Sequence, residues 1–266
     1  MKDQFKRTIN YLRISVTDKC NLRCVYCMPA EGVKLIGHKD VLSLEEIEAF
    51  TRSAVDMGIN KVRLTGGEPL VRKGIVSLVE KLSRIEGIRD LAMSTNGIFL
   101  DRLAKPLKDA GLHRVNVSLD TLNPDRYREI TRGGDMAKVL AGLQAAKEAG
   151  LTPIKINTVV QYGKQGPDAD AVAEYSEKNG FQIRYISRMD LEKGEFWMVE
   201  GGDGGNCKIC NRIRLTCDGQ VKPCLFSDLD YSVRELGAKE AIRQAVENKP
   251  RAGTESHTNT FYAVGG

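Results

Sequence analysis

Arg114-Val115-Asn116-Val117-Ser118-Leu119-Asp120 alternates without a break. In an extended chain Arg114, Asn116, Ser118 and Asp120 lie on one face, and Val115, Val117 and Leu119 on the other. Three further runs share the pattern: Leu12-Arg13-Ile14-Ser15, Lys61-Val62-Arg63-Leu64-Thr65 and Ile154-Lys155-Ile156-Asn157. Strand-like segments fall at 11–16, 61–65, 90–94, 114–119, 153–160 and 181–186, with helical patterns between them. Such an order implies a parallel sheet with right-handed crossovers. A parallel sheet covered by helices on both faces would show nearly continuous apolar strands. Here one face alone is apolar, so helices cover that face and the polar faces line a shared interior, where an ordinary barrel packs Val, Ile and Leu. The sequence therefore predicts an α/β fold, an incomplete (β/α)6 TIM-like barrel, over an open doubly wound sheet or a solvent-facing antiparallel one. A basic interior calls for an anionic ligand.

Ser43 and Glu46 have capping-box spacing, and Gly58 closes the helix they begin. Later helices are predicted at 75–86, 101–110, 137–149 and 168–179, each followed by a glycine. Helical periodicity fades near residue 190. Gly201-Gly202-Asp203-Gly204-Gly205 has the composition of a linker, and a last helix is predicted at 233–247. Residues 1–190 are expected to form the core partial barrel and 191–266 a small C-terminal appendage.

The 266 residues are 41% hydrophobic and 28% charged, ordinary globular values that exclude a disordered or collagen-like chain. No run approaches the roughly 18 apolar residues of a membrane span. The basic N-terminus has no apolar segment behind it, so no signal peptide and a cytoplasmic location are expected. A formal charge of +5 suits an anionic ligand better than a long nucleic-acid track.

The cysteines form two groups, Cys20, Cys24 and Cys27, then Cys207, Cys210, Cys217 and Cys224. Disulfide scaffolds are short and cysteine-dense throughout, whereas two tight groups in a long chain point to metal or catalysis. The first group follows a strand, where βα folds place their chemistry. Structural zinc takes four ligands; only three cysteines stand here, and His38, His113 and His257 add no paired spacing. A [4Fe–4S] cluster on three thiolates keeps one iron open. The second group offers the same three-thiolate arrangement in Cys207, Cys210 and Cys224, unless Cys217 completes a zinc ribbon. In that case the chain would be a zinc-binding interaction protein.

Cys20-Asn21-Leu22-Arg23-Cys24-Val25-Tyr26-Cys27 resembles the radical S-adenosylmethionine (SAM) motif, and Thr65-Gly66-Gly67-Glu68-Pro69 resembles the Gly-Gly-Glu-Pro segment of that superfamily. The run from Cys207 to Gly219, with Lys222-Pro223-Cys224-Leu225, is very similar to the GTP 3′,8-cyclase family, and the likeness extends along nearly the whole chain. The resemblance implies two [4Fe–4S] clusters, one on Cys20, Cys24 and Cys27, the other on Cys207, Cys210 and Cys224. It implies SAM binding by Tyr26, Gly66, Gly67, Glu68, Ser118 and Met189, with the Gly-Gly-Glu-Pro segment closing on the SAM amino group. GTP would be held by Arg13, Lys61, Arg63, Ser94, Lys155, Arg184, Arg212 and Arg214. Catalytic roles would fall to Arg13 and to Gly265 and Gly266, a double glycine that enters the active site. Of these residues, strand alternation by itself puts Arg13, Lys61, Arg63 and Lys155 in the interior.

The implied reaction is that of a lyase, the first step of molybdenum cofactor biosynthesis. GTP becomes (8S)-3′,8-cyclo-7,8-dihydroguanosine 5′-triphosphate after a 5′-deoxyadenosyl radical removes the ribose 3′ hydrogen and the ribose closes on guanine C8. The implied partners are a one-electron donor of the flavodoxin or ferredoxin type and a downstream cyclic pyranopterin monophosphate synthase. No membrane is implied, and a homodimer is compatible. Three departures stand out. The family carries several dozen more residues between Met189 and Cys207, reads Glu-Phe-Met where this chain has Ser187-Arg188-Met189, and has another residue at Cys217. The shortened segment borders the family's substrate cavity, so the enzymatic alternative is a paralogue, a peptide maturase with a shortened auxiliary-cluster domain.

Overall fold

The computed structural model describes residues 1–161 and 166–264. Strand β1 (Tyr11–Ser15) leads to α1 (Leu44–Asp56), β2 (Lys61–Thr65), α2 (Ile75–Ser83), β3 (Asp90–Thr95), α3 (Leu100–Asp109) and β4 (Arg114–Ser118). Then follow α4 (Pro124–Thr131), α5 (Met136–Glu148), β5 (Lys155–Val160), α6 (Pro167–Asn179) and β6 (Gln182–Ser187). The C-terminal part holds β7 (Arg212–Leu215), β8 (Gln220–Lys222), β9 (Tyr231–Ser232), α7 (Val233–Leu236), α8 (Ala238–Glu247) and α9 (Phe261–Val264). One sheet contains every strand, in the order β6-β5-β4-β3-β2-β1-β7-β8-β9, and it does not close.

The alternation sets the layers. Leu12, Ile14, Val62, Leu64, Val115 and Val117 are fully buried and share one core with Ile47 and Phe50 of α1 and Leu78 and Leu82 of α2. Each buried aliphatic side chain contributes about 1.5–3 kcal/mol. On the other face, residues from β1 to β7 converge on one cavity, so the sheet curls around its polar side. The capping box forms as the sequence predicts: Ser43 Oγ accepts from Glu46 N at 3.1 Å and the Glu46 carboxylate accepts from Ser43 N at 2.7 Å. Among the described residues no helix is long and apolar enough to cross a membrane.

Several expectations need correction. Helix α2 stops at Ser83, because Ile85 N bonds Leu82 O and the tightened turn drives Ile85 into the core. Helix α4 was not foreseen, although Asn123-Pro124-Asp125 is a helix-start signal; Asn123 Oδ1 accepts from Asp125 N and Arg126 N. The helix predicted at 233–247 breaks at Gly237, where φ is 76°. The stretch of linker composition begins against the sheet edge: Arg184 Nε of β6 donates to Gly201 O at 3.2 Å, and a Cβ on Gly201 would stand 2.6 Å from Ile183 O. Apart from these corrections, β7 pairs in parallel with β1, on the side away from β2.

Candidate active site

In-register pairing places Arg63, Arg13 and Arg214 side by side across β2, β1 and β7, with Lys61, Tyr11 and Arg212 in the row before them. All six line a cavity of about 360 Å³ together with Asp90, Ser94, Arg114, Lys155 and Arg184. Burial, then the cation of Arg214, holds Arg13 well below the ordinary guanidinium range. Burial lowers Arg63 too, against the opposing influence of Tyr11 and with that of Arg114 and Arg184. Lys155 is brought down to about 8 by burial and by Arg184, Arg114 and Arg63. Arg214 is brought down to about 10 by burial and Arg212. Asp90 is engaged with Arg114, accepting at 2.9 and 2.6 Å. Among the described residues, Tyr11 Oη, Arg63 Nε and Asn157 Oδ1 are buried without a hydrogen-bond partner. Crowded cations and unsatisfied polar atoms in one cavity are costly by themselves and favour a polyanion, whose oxygens arginine grips as a fork.

Cys207, Cys210 and Cys224, all partly buried, lie in the wall of this cavity. Burial pushes the Cys210 thiol up, but Lys249 and Arg212 outweigh it and bring it down to about 7. Cys217 is fully buried, lines neither cavity described here, and has Asp18, Asp218 and Arg72 as charged neighbours. It follows the far end of β7 while Cys210 precedes the near end, so the strand separates it from the other three. A four-cysteine ribbon is therefore not assembled.

A second cavity, of about 210 Å³, gathers Cys20, Cys24, Cys27, Tyr26, Gly66, Gly67, Glu68, Ser118 and Met189. Burial raises all three thiols. Cys24 is pushed up to about 12 by burial, Asp120, Cys27 and Cys20, and Cys27 to about 12 by burial and Cys20. The Tyr26 hydroxyl donates to Asp120 Oδ2 at 2.7 Å, and Asp120 Oδ1 accepts from Val159 N at 2.8 Å, which ties the cysteine loop to β5. The glycine pair serves a packing role: a Cβ on Gly66 would stand 2.6 Å from Thr17 O, and one on Gly67 2.3 Å from Lys19 O. Only glycine lets the loop after β2 lie so close to the loop carrying Cys20. Glu68 is 1% exposed. Its Oε1 accepts from Leu70 N and Thr95 Oγ1 at 2.9 and 2.7 Å, and its Oε2 from Asn96 N at 2.7 Å. Burial nevertheless pushes its carboxyl up to about 7.

Each cavity thus offers three thiols, and among the described residues no set of three or more His, Cys, Asp or Glu side chains is arranged to hold a metal ion. Tetrahedral zinc needs four ligands, whereas a cluster with an open iron needs three. Ser94, Asn157, Ile186 and Met189 line both cavities, so the two adjoin.

The Radical SAM superfamily matches residues 14–175. A GTP 3′,8-cyclase of Thermodesulfovibrio yellowstonii is 42% identical over 97% of this chain and 97% of its own length. One of Moorella thermoacetica is 43% identical over 92% and 91%. The chain belongs to the GTP 3′,8-cyclase family of radical SAM proteins. The fold agrees with that of solved structures. Streptococcus suis SuiB bound to its precursor peptide SuiA superimposes with a TM-score of 0.69 at 15% identity, covering 91% of this chain and 66% of that one. The protein anSMEcpe with bound AdoMet gives 0.62 at 16%, covering 91% and 81%.

The alignment with the Thermodesulfovibrio cyclase runs over 312 positions although this chain has 266 residues, so that relative carries several dozen residues absent here. In this cyclase-family chain the short segment after β6 supplies Phe196, Trp197 and Val199 to the large cavity. Phe196 stacks on Phe226 with ring centroids 4.5 Å apart. At the other chain end, α9 brings Phe261 to the smaller cavity, and Arg214 donates to Val264 O at 3.3 Å. Gly265 and Gly266 lie outside the described residues. Arg114 and Asn157, which strand alternation places on the interior face, stand in the wall as well. Sequence reasoning overlooked Tyr11 and Lys249 as wall residues, although Tyr11 stands on a strand whose faces were already read.

Proposed function

We propose that this chain converts GTP to (8S)-3′,8-cyclo-7,8-dihydroguanosine 5′-triphosphate, as a lyase of molybdenum cofactor biosynthesis. The observation that carries the reading is the row Arg63–Arg13–Arg214, set in a cavity that shares Ser94, Asn157, Ile186 and Met189 with the cavity of Cys20, Cys24 and Cys27. Cys20, Cys24 and Cys27 are assigned to a [4Fe–4S] cluster, and Cys207, Cys210 and Cys224 to a second. With SAM bound, a cluster on Cys20, Cys24 and Cys27 would supply the one-electron cleavage of SAM that leads to hydrogen abstraction at the ribose 3′ position, and a second electron and a proton would complete the ring. Tyr26, Gly66, Gly67, Glu68, Ser118 and Met189 hold SAM against that cluster.

Arg13, Lys61, Arg63, Lys155, Arg184, Arg212 and Arg214 neutralise the triphosphate, and with Ser94 they fix the ribose at the shared wall. Holding reactants in a near-attack geometry removes much of the entropic barrier. Phe196, Trp197 and Val264 exclude water. Gly265 and Gly266 continue from Val264, whose carbonyl is already held by Arg214; we assign them and Arg13 to the chemistry on GTP. Residues 1–190 form the radical SAM core and 191–266 the auxiliary-cluster unit. A flavodoxin or ferredoxin donates the two electrons, one at a time, in the cytoplasm, and cyclic pyranopterin monophosphate synthase consumes the product.

Anaerobic incubation with SAM, dithionite and GTP tests the reading. The product is an isomer of GTP, so chromatography coupled to mass spectrometry should show a new peak of equal mass. Methionine and 5′-deoxyadenosine should form with it, one each per turnover. SAM cleavage without that peak would leave a radical SAM enzyme acting on another substrate.

A further inference from the structure

Lys249 follows helix α8 and its side chain is 2% exposed. A lysine there in the sequence reads as a solvated cation beside a helix C-terminus. The structure instead turns it inward, into the wall of the large cavity. Its Nζ donates to Arg212 O at 2.8 Å and, by a short bond, to Pro223 O. Arg212 is two residues from Cys210, and Pro223 adjoins Cys224. Burial lowers the Lys249 ammonium and Arg7 acts in the same direction; the thiols of Cys210 and Cys224 are the groups that oppose this and favour its charge, with Cys210 in hydrogen-bonding contact.

The third thiol-bearing segment is held by another buried cation. Arg7 donates through Nη1 to Cys207 O at 2.8 Å and to Arg251 O at 2.9 Å, and through Nη2 to Pro250 O at 2.6 Å. Asp3 orients that guanidinium at 2.5 Å. The Pro250–Arg251 contacts fix the chain that carries Lys249. Every segment bearing one of the three thiols is thus fastened to a buried cation through a backbone carbonyl.

We propose that Lys249, held in place by Arg7, is the positioning residue of the second thiolate set: it fixes the spacing of Cys210 and Cys224 and supplies the positive charge that stabilises the reduced form of what they bind. The proposal rests on the assignment of a second cluster to Cys207, Cys210 and Cys224. A buried ammonium costs several kcal/mol of solvation unless an anion compensates it, and thiolates around a cluster are that anion. Charge near a cluster is also a main determinant of its potential.

The test uses the full chain with Cys20→Ala, Cys24→Ala and Cys27→Ala, so that any cluster is at the second set. Its midpoint potential is read by redox titration followed by electron paramagnetic resonance. Lys249→Gln and Lys249→Met both remove the charge, and Gln keeps a donor for the carbonyls. Both should bind the cluster at a lower potential. At fixed poise the reduced-to-oxidised ratio should fall at least tenfold, which for one electron is about 59 mV. Lys249→Arg should keep the potential of the parent, a rescue that packing alone does not predict. An unchanged potential in Gln and Met, or one lowered in Arg, overturns the proposal. If neutral variants fail to fold by circular dichroism, the Arg variant decides, because it must still hold the cluster at the parental potential. A parent without any cluster overturns the second-cluster assignment itself, and this proposal with it.

Discussion

At the Cys20–Cys27 end of the joined cavities, burial pushes Cys24 and Cys27 up to about 12, helped by Asp120 at Cys24 and by the Cys20 thiol at both. At the Cys207–Cys224 end, Lys249 and Arg212 bring Cys210 down to about 7. Both ends carry three partly buried cysteines, yet Asp120 and Glu68 surround one and Arg212, Arg214 and Lys249 the other. The contrast fits a division of labour. The end beside the Gly-Gly-Glu segment suits a cationic cosubstrate such as SAM, and the arginine-rich end suits a polyanion.

The largest effect comes from removing one end at a time. Cys20→Ala, Cys24→Ala and Cys27→Ala together should halve the iron of the reconstituted protein and abolish SAM cleavage. The matching change at Cys207, Cys210 and Cys224 should also halve the iron but leave some 5′-deoxyadenosine formation, uncoupled from any GTP product. Iron analysis and chromatography of the nucleosides check both. Abolished SAM cleavage in the second variant would break the division.

A smaller effect tests the polyanion end. Arg212→Ala with Arg214→Ala should weaken GTP binding, each lost charge-assisted contact costing on the order of 1.5–3 kcal/mol. SAM affinity, measured in the same calorimetric titration, should stay within about twofold because none of its assigned residues is touched. Unchanged GTP affinity would place the nucleotide elsewhere.

Thiol chemistry sharpens the same contrast in iron-free protein. The thiolate is the reactive form. At pH 7.5 a thiol with a pKa of about 7 is mostly ionised, while one near 12 is almost wholly protonated. Brief alkylation followed by peptide mapping should label Cys210 well ahead of Cys24 and Cys27. Equal labelling would mean that the cations around Cys210 do not set its state.

The cationic interior was legible because strand alternation is local: four residues of Lys61-Val62-Arg63-Leu64 already separate the two faces. Arg212-Ile213-Arg214-Leu215 carries the same pattern, yet it went unread as a strand. It is short, it lies inside a cysteine group, and its partner β1 is some two hundred residues away, so nothing nearby announces the pairing. Lys249 was illegible for a related reason, since its burial depends on segments at 7, 212 and 223 meeting around it. The glycines of Gly66-Gly67 were legible as part of the Gly-Gly-Glu-Pro segment, since a glycine pair permits close backbone approach. Their steric partner, the backbone of Thr17 and Lys19, emerges only once β1 and β2 are paired.

Lys155 offers the smallest and most discriminating effect. Burial and the cations of Arg184, Arg114 and Arg63 lower it from 10.5 to about 8, ahead of Arg214, which is brought down to about 10. The sign follows from the charged form being the one that attracts phosphate. As pH rises through 8, Lys155 loses its proton and GTP affinity should fall; bound phosphate favours the ammonium, so the midpoint in the complex lies above that of free protein. One charge-assisted contact, about 1.5–3 kcal/mol, sets the ceiling of the loss between about pH 7 and 9 at on the order of ten- to a hundredfold. Lys155→Arg should flatten the profile while keeping the affinity found at pH 7. Lys155→Met should flatten it at the weaker level. Equilibrium binding of GTP to all three proteins across that range checks the prediction, and a decline persisting in Lys155→Arg would assign the titration to another group. Such a result would also loosen the contrast between the two ends, because Lys155 is a cation of the large cavity that burial and its cationic neighbours bring down to about 8.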